Sequence, residues 1–324
     1  MEKTVAAPRL PGKNRSPVSR FIAYVRKYWF LYLLILPGFA CMAVFNYGPM
    51  YGIQLAFKEY SPRAGIWGSE WIGLENFYRM FKDPNFIRAF RNTILINLYS
   101  LAFGFTFNVF LALMINELKL RKVKPIIQTC VYLPYFLSWV IFAGLVQVFL
   151  EYPSTADVGG VVNQVIQGLG GAPIDFLKEP KLFRTILVVT NIIKSAGYST
   201  IVYLASLSGI DPALYESAQI DGANKWAQMR YVVLPSILST IVIMLITRIG
   251  SLLQIGYEKV LLLYNPNTYV TADVVSTFAQ RYGLGSSSAQ GLASAAEMMS
   301  NVIGMMLVIG SNTIARKATD VSLY

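Results

Sequence analysis

Six stretches of about twenty mostly apolar residues constrain what this chain can fold into. They run from Trp29 to Tyr47, Thr93 to Ile115, Ile126 to Leu150, Thr185 to Leu207, Pro235 to Ile255 and Ala293 to Ile314. A helix rises about 1.5 Å per residue and a bilayer core is roughly 30 Å thick, so each stretch suits one crossing. Inside hydrocarbon, every backbone N–H and C=O must find a partner within the protein, which favours helices. The expected fold is an all-α integral membrane protein with six transmembrane helices. Composition agrees: 55% of residues are hydrophobic and 14% are charged, against roughly 25% charged in soluble domains.

The formal charge of +11 would point to nucleic acid in a soluble protein. Here the basic residues gather at helix ends, which implies a membrane topology and no nucleic-acid partner. An arm carries Lys3, Arg9, Lys13, Arg15, Arg20, Arg26 and Lys27. The loop after the second stretch carries Lys119, Arg121, Lys122 and Lys124, and the tail carries Arg316 and Lys317. With six crossings all three segments share one side, and the positive-inside rule makes it the cytoplasm. The first outer segment weakens the asymmetry, since it holds Arg79, Lys82, Arg88 and Arg91. No small-residue cleavage site follows the first apolar stretch, so it reads as a membrane helix rather than a secretory signal.

Several chemistries have little to work with. The chain has no histidine, the commonest general base and metal ligand. Cys41 and Cys130 lie in separate apolar stretches and read as small core hydrophobes rather than a disulfide or metal site. No Gly-x-x-x-x-Gly-Lys-Ser/Thr loop is present to cradle a nucleotide. A secondary transporter would need buried carboxylates as an ion relay, yet only Glu297 lies near the end of a stretch. The expectation is a pathway-forming subunit without catalytic residues, cofactor or metal.

The polar link between the fourth and fifth stretches is the most specific motif. Asp211-Pro212 is a helix start: Asp caps free N–H groups, and Pro fits the first helical position. Ala213, Leu214, Ser217 and Ala218 then offer a small, largely apolar surface able to enter a groove on a partner. Glu216 can accept partner N–H groups or pair with an Arg. Gly222, just after Asp221, frees the backbone to turn, and Pro235 ends a second short helix.

Glu216-Ser217-Ala218, three residues, Gly222, nine residues, Val232, one residue, then Leu234-Pro235 resembles the cytoplasmic coupling loop of ABC importer permeases, Glu-Ala-Ala…Gly…Ile-x-Leu-Pro. Every gap matches; Ser217 and Val232 are the departures. Further phrases resemble the oligosaccharide branch of the carbohydrate permeases. They are Leu36-Pro37-Gly38, Tyr47 to Lys58, Ile72 to Phe77, Asn92-Thr93, Tyr132-Leu133-Pro134, Leu262 to Pro266 and Thr271 to Val274.

The resemblance implies a MetI-like permease fold and a bacterial plasma membrane location with both termini cytoplasmic. It implies an ATP-driven, binding-protein-dependent importer of sugars, with amino acids or phosphonates as the alternative cargo. It also implies a second, homologous permease subunit, two cytoplasmic ATPase subunits, an extracytoplasmic solute-binding protein, a sugar substrate and surrounding lipid. The expected organisation is a basic arm (1–28), a first helix with its outer loop (29–91), a five-helix core (92–315) containing the coupling loop (209–235), and a tail (316–324).

Polar side chains inside the stretches raise a second candidate site. Lys194 lies mid-way along the fourth, with Asn191 and Tyr198 one turn to either side, and Arg248 lies mid-way along the fifth. Intramembrane cations cost a few kcal/mol and so face a cavity or a partner. One reading places Asn191, Lys194, Tyr198, Arg248 and Gln254 along a sugar pathway. The other pairs the cations with Glu297, Glu258, Asp273 or the second permease. Polar and small stripes (Thr93, Asn97, Ser100, Gly104, Asn108; and Ser236, Thr240, Thr247, Ser251, Gln254) face other helices or a path.

Overall fold

The computed structural model describes residues 17–120, 122–154, 158–285, 289–319 and 321–323. The basic residues Lys3, Arg9, Lys13, Arg15 and Arg121 lie outside them. The chain divides into two compact units, residues 1–54 and 55–324.

The first unit contains α1 (Pro17–Lys27) and most of α2 (Trp29–Phe57). None of the apolar window of α2 is buried. A helix that is apolar on every side is at ease only in hydrocarbon, and 29 residues suffice to cross it.

The second unit opens with a short antiparallel pair, β1 (Lys58–Glu59) with β2 (Glu70–Trp71), followed by α3 (Glu75–Lys82). Then come α4 (Pro84–Glu117), α5 (Val123–Phe136), α6 (Trp139–Leu150), α7 (Val161–Gly168) and α8 (Pro180–Ser208). The link carries α9 (Pro212–Ile220) and α10 (Lys225–Ser236). The chain closes with α11 (Leu238–Gly250), α12 (Tyr257–Leu261), α13 (Val275–Gly285) and α14 (Gln290–Thr319).

All six apolar stretches are helical, but two are broken. Among the described residues, four helices are long and apolar enough to cross a membrane, and up to six crossings result if each bent pair is one span. The stretch expected as one helix from Ile126 to Leu150 is α5 and α6, meeting at 109°. Leu137 and Ser138 adopt extended backbone there, and the Ser138 hydroxyl accepts from Ile141 N at 3.3 Å to start α6. The fifth stretch begins earlier than expected, as α10, and bends by 62° into α11 at Ile237.

Helices cross closely where glycines permit it. A Cβ on Gly304 would sit 2.9 Å from the Gly250 carbonyl oxygen, so α11 and α14 touch through backbone. At one end of the bundle, Asp273 is fully buried. It accepts from Thr277 at 2.8 Å and pairs with Arg281 at 2.6 Å and Arg88 at 3.6 Å. Asn92 donates to the Asp273 carbonyl and accepts from Arg184, joining α4 and α8 to the same network. Asp273 thus pairs with these arginines, not with Lys194 or Arg248.

Cys41 and Cys130 are free and exposed, not core residues as expected. In a membrane the outside of a bundle is as apolar as its inside, so a small apolar residue carries no inward signal.

Candidate functional site

The link after α8 folds as two short arms about a glycine. Asp211 Oδ1 accepts from Ala213 N at 2.9 Å and caps α9 behind Pro212. Gly222 has φ +79°, the left-handed region that L side chains enter at a cost of roughly 1 kcal/mol or more. With that turn made, Ala223 N reaches Ala218 O at 2.9 Å and closes the end of α9. Asn224 Oδ1 accepts from Ala227 N at 2.9 Å and starts α10. Buried Gln228 donates back to Ala223 O at 2.9 Å, which fixes one arm against the other.

The link is tied to the rest of its unit at few points. Tyr215 packs on the cluster of Ala112, Leu113, Tyr203, Leu207, Val233 and Ile237, beside Leu234. Its hydroxyl bonds Asn116; burial, then the Glu117 charge, pushes the phenol pKa up. Lys225 pairs with Glu117 at 3.5 Å, at the end of α4. Asp211, Leu214, Glu216, Ser217, Asp221, Gly222 and Pro235 are exposed, and Ala218 is half-buried. Around them Ile220, Trp226 and Tyr231 are 87%, 70% and 72% exposed. Apolar side chains bared beside polar ones at a helix-bundle end have the composition of a protein contact surface.

A second feature lies inside the bundle. A cavity of about 70 Å³ opens between α4, α8, α11 and α12. Its α4 wall is a wide, π-type turn over Ser100–Phe105, a distortion often found at functional sites. Ser100 Oγ and Asn108 Oδ1 are buried there with no hydrogen-bond partner. Arg248 and Lys259 both face the space, and no Asp or Glu lines it. Among the described residues Arg248 makes no ion pair. Lys259 donates to Asn191 Oδ1 at 3.2 Å and lies 5.9 Å from the Trp139 ring.

Three of the five pathway candidates meet here: Asn191, Arg248 and Gln254 line the cavity. Gln254 also donates to Asn301 Oδ1 at 3.0 Å. Lys194 is not in the lining. It is 8% exposed, and Nζ donates to the carbonyls of Pro134 (3.1 Å), Tyr135 (3.4 Å) and Leu137, at the α5–α6 bend. The rings of Trp139 and Phe142 lie 5.1 and 5.6 Å from it. Tyr198 stacks on Tyr135 at 5.5 Å, also outside the cavity. Lys259 carries no such signal in the sequence, because it lies between the fifth and sixth apolar stretches. Asn97, Ser100, Gly104 and Asn108 did carry a signal, the polar stripe of α4 at spacings of three, four and four.

The family model described as binding-protein-dependent transport system inner membrane component matches residues 104–309. The chain belongs to this family. The permease is 38% identical to "Protein LplB" of Bacillus subtilis (strain 168), over 97% of this chain and 99% of that one. It is 39% identical to "Polygalacturonan/rhamnogalacturonan transport system permease protein YteP" of the same organism, over 91% and 90% of the two chains. A chain in the crystal structure of a bacterial alginate ABC transporter, in complex with alginate pentasaccharide-bound periplasmic protein, superposes with a TM-score of 0.83. It is 40% identical, covering 94% of this chain and all of that one. The MetNI methionine transporter, 16% identical with a TM-score of 0.50, shares the fold alone.

Proposed function

We propose that this permease is one of two membrane subunits of an ATP-driven importer of oligosaccharides, and that the 209–235 link is where its ATPase docks. The observation that carries the reading is the link itself. It is capped, turned at Gly222 and braced by Tyr215 and Lys225, yet it leaves Leu214, Glu216, Ser217 and Ile220 free to meet a partner. It also continues directly from α8, whose 29 residues reach about 43 Å to the opposite end of the bundle. A push on α9 therefore acts on a rigid rod that passes the cavity at Asn191 and Ser195. Such coupling requires contacts that differ between two states.

The sugar cargo rests on near-full-length relatives named for polysaccharide transport, and on a cavity rich in Asn, Ser and Gln. The remaining parts follow the same reading: a homologous second permease, two ATPase subunits, an extracytoplasmic binding protein, and a bacterial inner membrane with both termini in the cytoplasm. Organisation into arm, first helix with outer loop, five-helix core and tail is part of the proposal. Gly222→Asp or Glu216→Lys should leave the protein inserted in the membrane but uncouple uptake from ATP hydrolysis. Expression, ATPase co-purification and uptake are compared in membrane vesicles. Normal uptake in both variants would overturn the docking assignment.

A further inference from the structure

We propose that the cavity between α4, α8, α11 and α12 is a subsite for the carboxylate of an acidic sugar residue, held by Arg248 and Lys259. The inference rests on the oligosaccharide reading above and names the class of sugar within it. Two cations facing one small cavity repel each other, and both lose water there. No carboxylate lines the space to offset this. At the Asp273 end of the bundle, by contrast, the half-buried Arg88 and Arg281 share one buried carboxylate. The cavity is thus built for an anion that arrives from elsewhere.

The rest of the lining fits a sugar ring around that carboxylate. Ser100 Oγ and the 3% exposed Asn108, through Oδ1, are buried polar atoms without partners. Such atoms cost stability unless a ligand or water answers them. Oδ1 can only accept, so it suits a hydroxyl rather than a second carboxylate. Arg248 offers a forked donor set matched to a carboxylate, and Lys259 a point charge already steered by Asn191. Asn191 is the twelfth residue of α8, about 17 Å from one end and 25 Å from the other. The subsite therefore sits in mid-membrane, where a sugar passing through would be held in transit.

The test uses the whole importer, with both permeases, its ATPase and its binding protein, in proteoliposomes. Trigalacturonate is the acidic probe, and its carboxyl-reduced counterpart is the neutral one. Arg248→Gln and Lys259→Gln should each lower acidic uptake relative to neutral uptake by about ten-fold or more, since charged hydrogen bonds are being removed. Lys259→Arg should restore the ratio. Equal losses for both probes would overturn the subsite. A second readout does not depend on turnover. A single cysteine at Ser251, in a background lacking Cys41 and Cys130, is alkylated with and without galacturonate or galactose. Protection by galacturonate alone is expected. Equal protection, or a cross-link from this cysteine to an acidic segment of the second permease, would show a neutral site or a structural ion pair instead. Uptake of neither probe by the unaltered importer would count against the oligosaccharide reading, while the protection experiment would still decide the subsite.

Discussion

Lys194→Met tests how the third crossing is held in its bend. The ammonium has three N–H groups, and the carbonyls of Pro134, Tyr135 and Leu137 take them. Those carbonyls are orphans of a helix end, far from water. Methionine keeps the length and apolar stem of the side chain but donates nothing. A lost hydrogen bond to a charged group costs roughly 1.5–3 kcal/mol where the partner is left unsatisfied. Three such bonds from one atom do not add, and relief of burying the cation returns a few kcal/mol. The two ring contacts contribute up to about 2 kcal/mol. The net loss is therefore about 2–4 kcal/mol. It should appear as a lower midpoint in denaturant unfolding of the purified permease. Spin labels at Gln128 and Val148, one on each side of the bend, should report a broader and longer distance distribution. Lys194→Arg should fall between the two. Unchanged unfolding and an unchanged distance would refute the reasoning, and lost uptake with both intact would place Lys194 in the sugar path.

Asp273→Asn should destabilise the permease by about 3–5 kcal/mol, because it leaves Arg88 and Arg281 facing a neutral group in a buried site; thermal unfolding in detergent checks this, and a change below about 1 kcal/mol would show that water already screens the pair. Single cysteines at Asp175 and Asn267 should react with an impermeant reagent from outside, whereas those at Lys122, Lys225 and Lys317 should react only after permeabilisation. Outside labelling at Lys225 would put the link beyond reach of any cytoplasmic ATPase.

The apolar stretches and the 209–235 link were legible from sequence because each is a local property. Hydrocarbon thickness fixes the length of a crossing helix, and caps, a left-handed glycine and a proline fix a short turn, so neighbouring residues suffice. Asp211, Gly222 and Asn224 do in the structure what their residue types allow. The bend between α5 and α6 was not legible. Residues 126–150 are almost uniformly apolar, and the charge that stabilises the break lies 57 residues along the chain from Leu137. The two cations nearest mid-membrane in sequence, Lys194 and Arg248, looked alike for the same reason. Hydropathy records depth but not direction, and only packing turned one to a helix end and the other to a cavity. Lys259 joined that cavity because α12 folds back against α8 and α6. Sequence set which residues enter the membrane, and tertiary structure decided which of them meet, because pairing across helices depends on angles and crossings that no local pattern encodes.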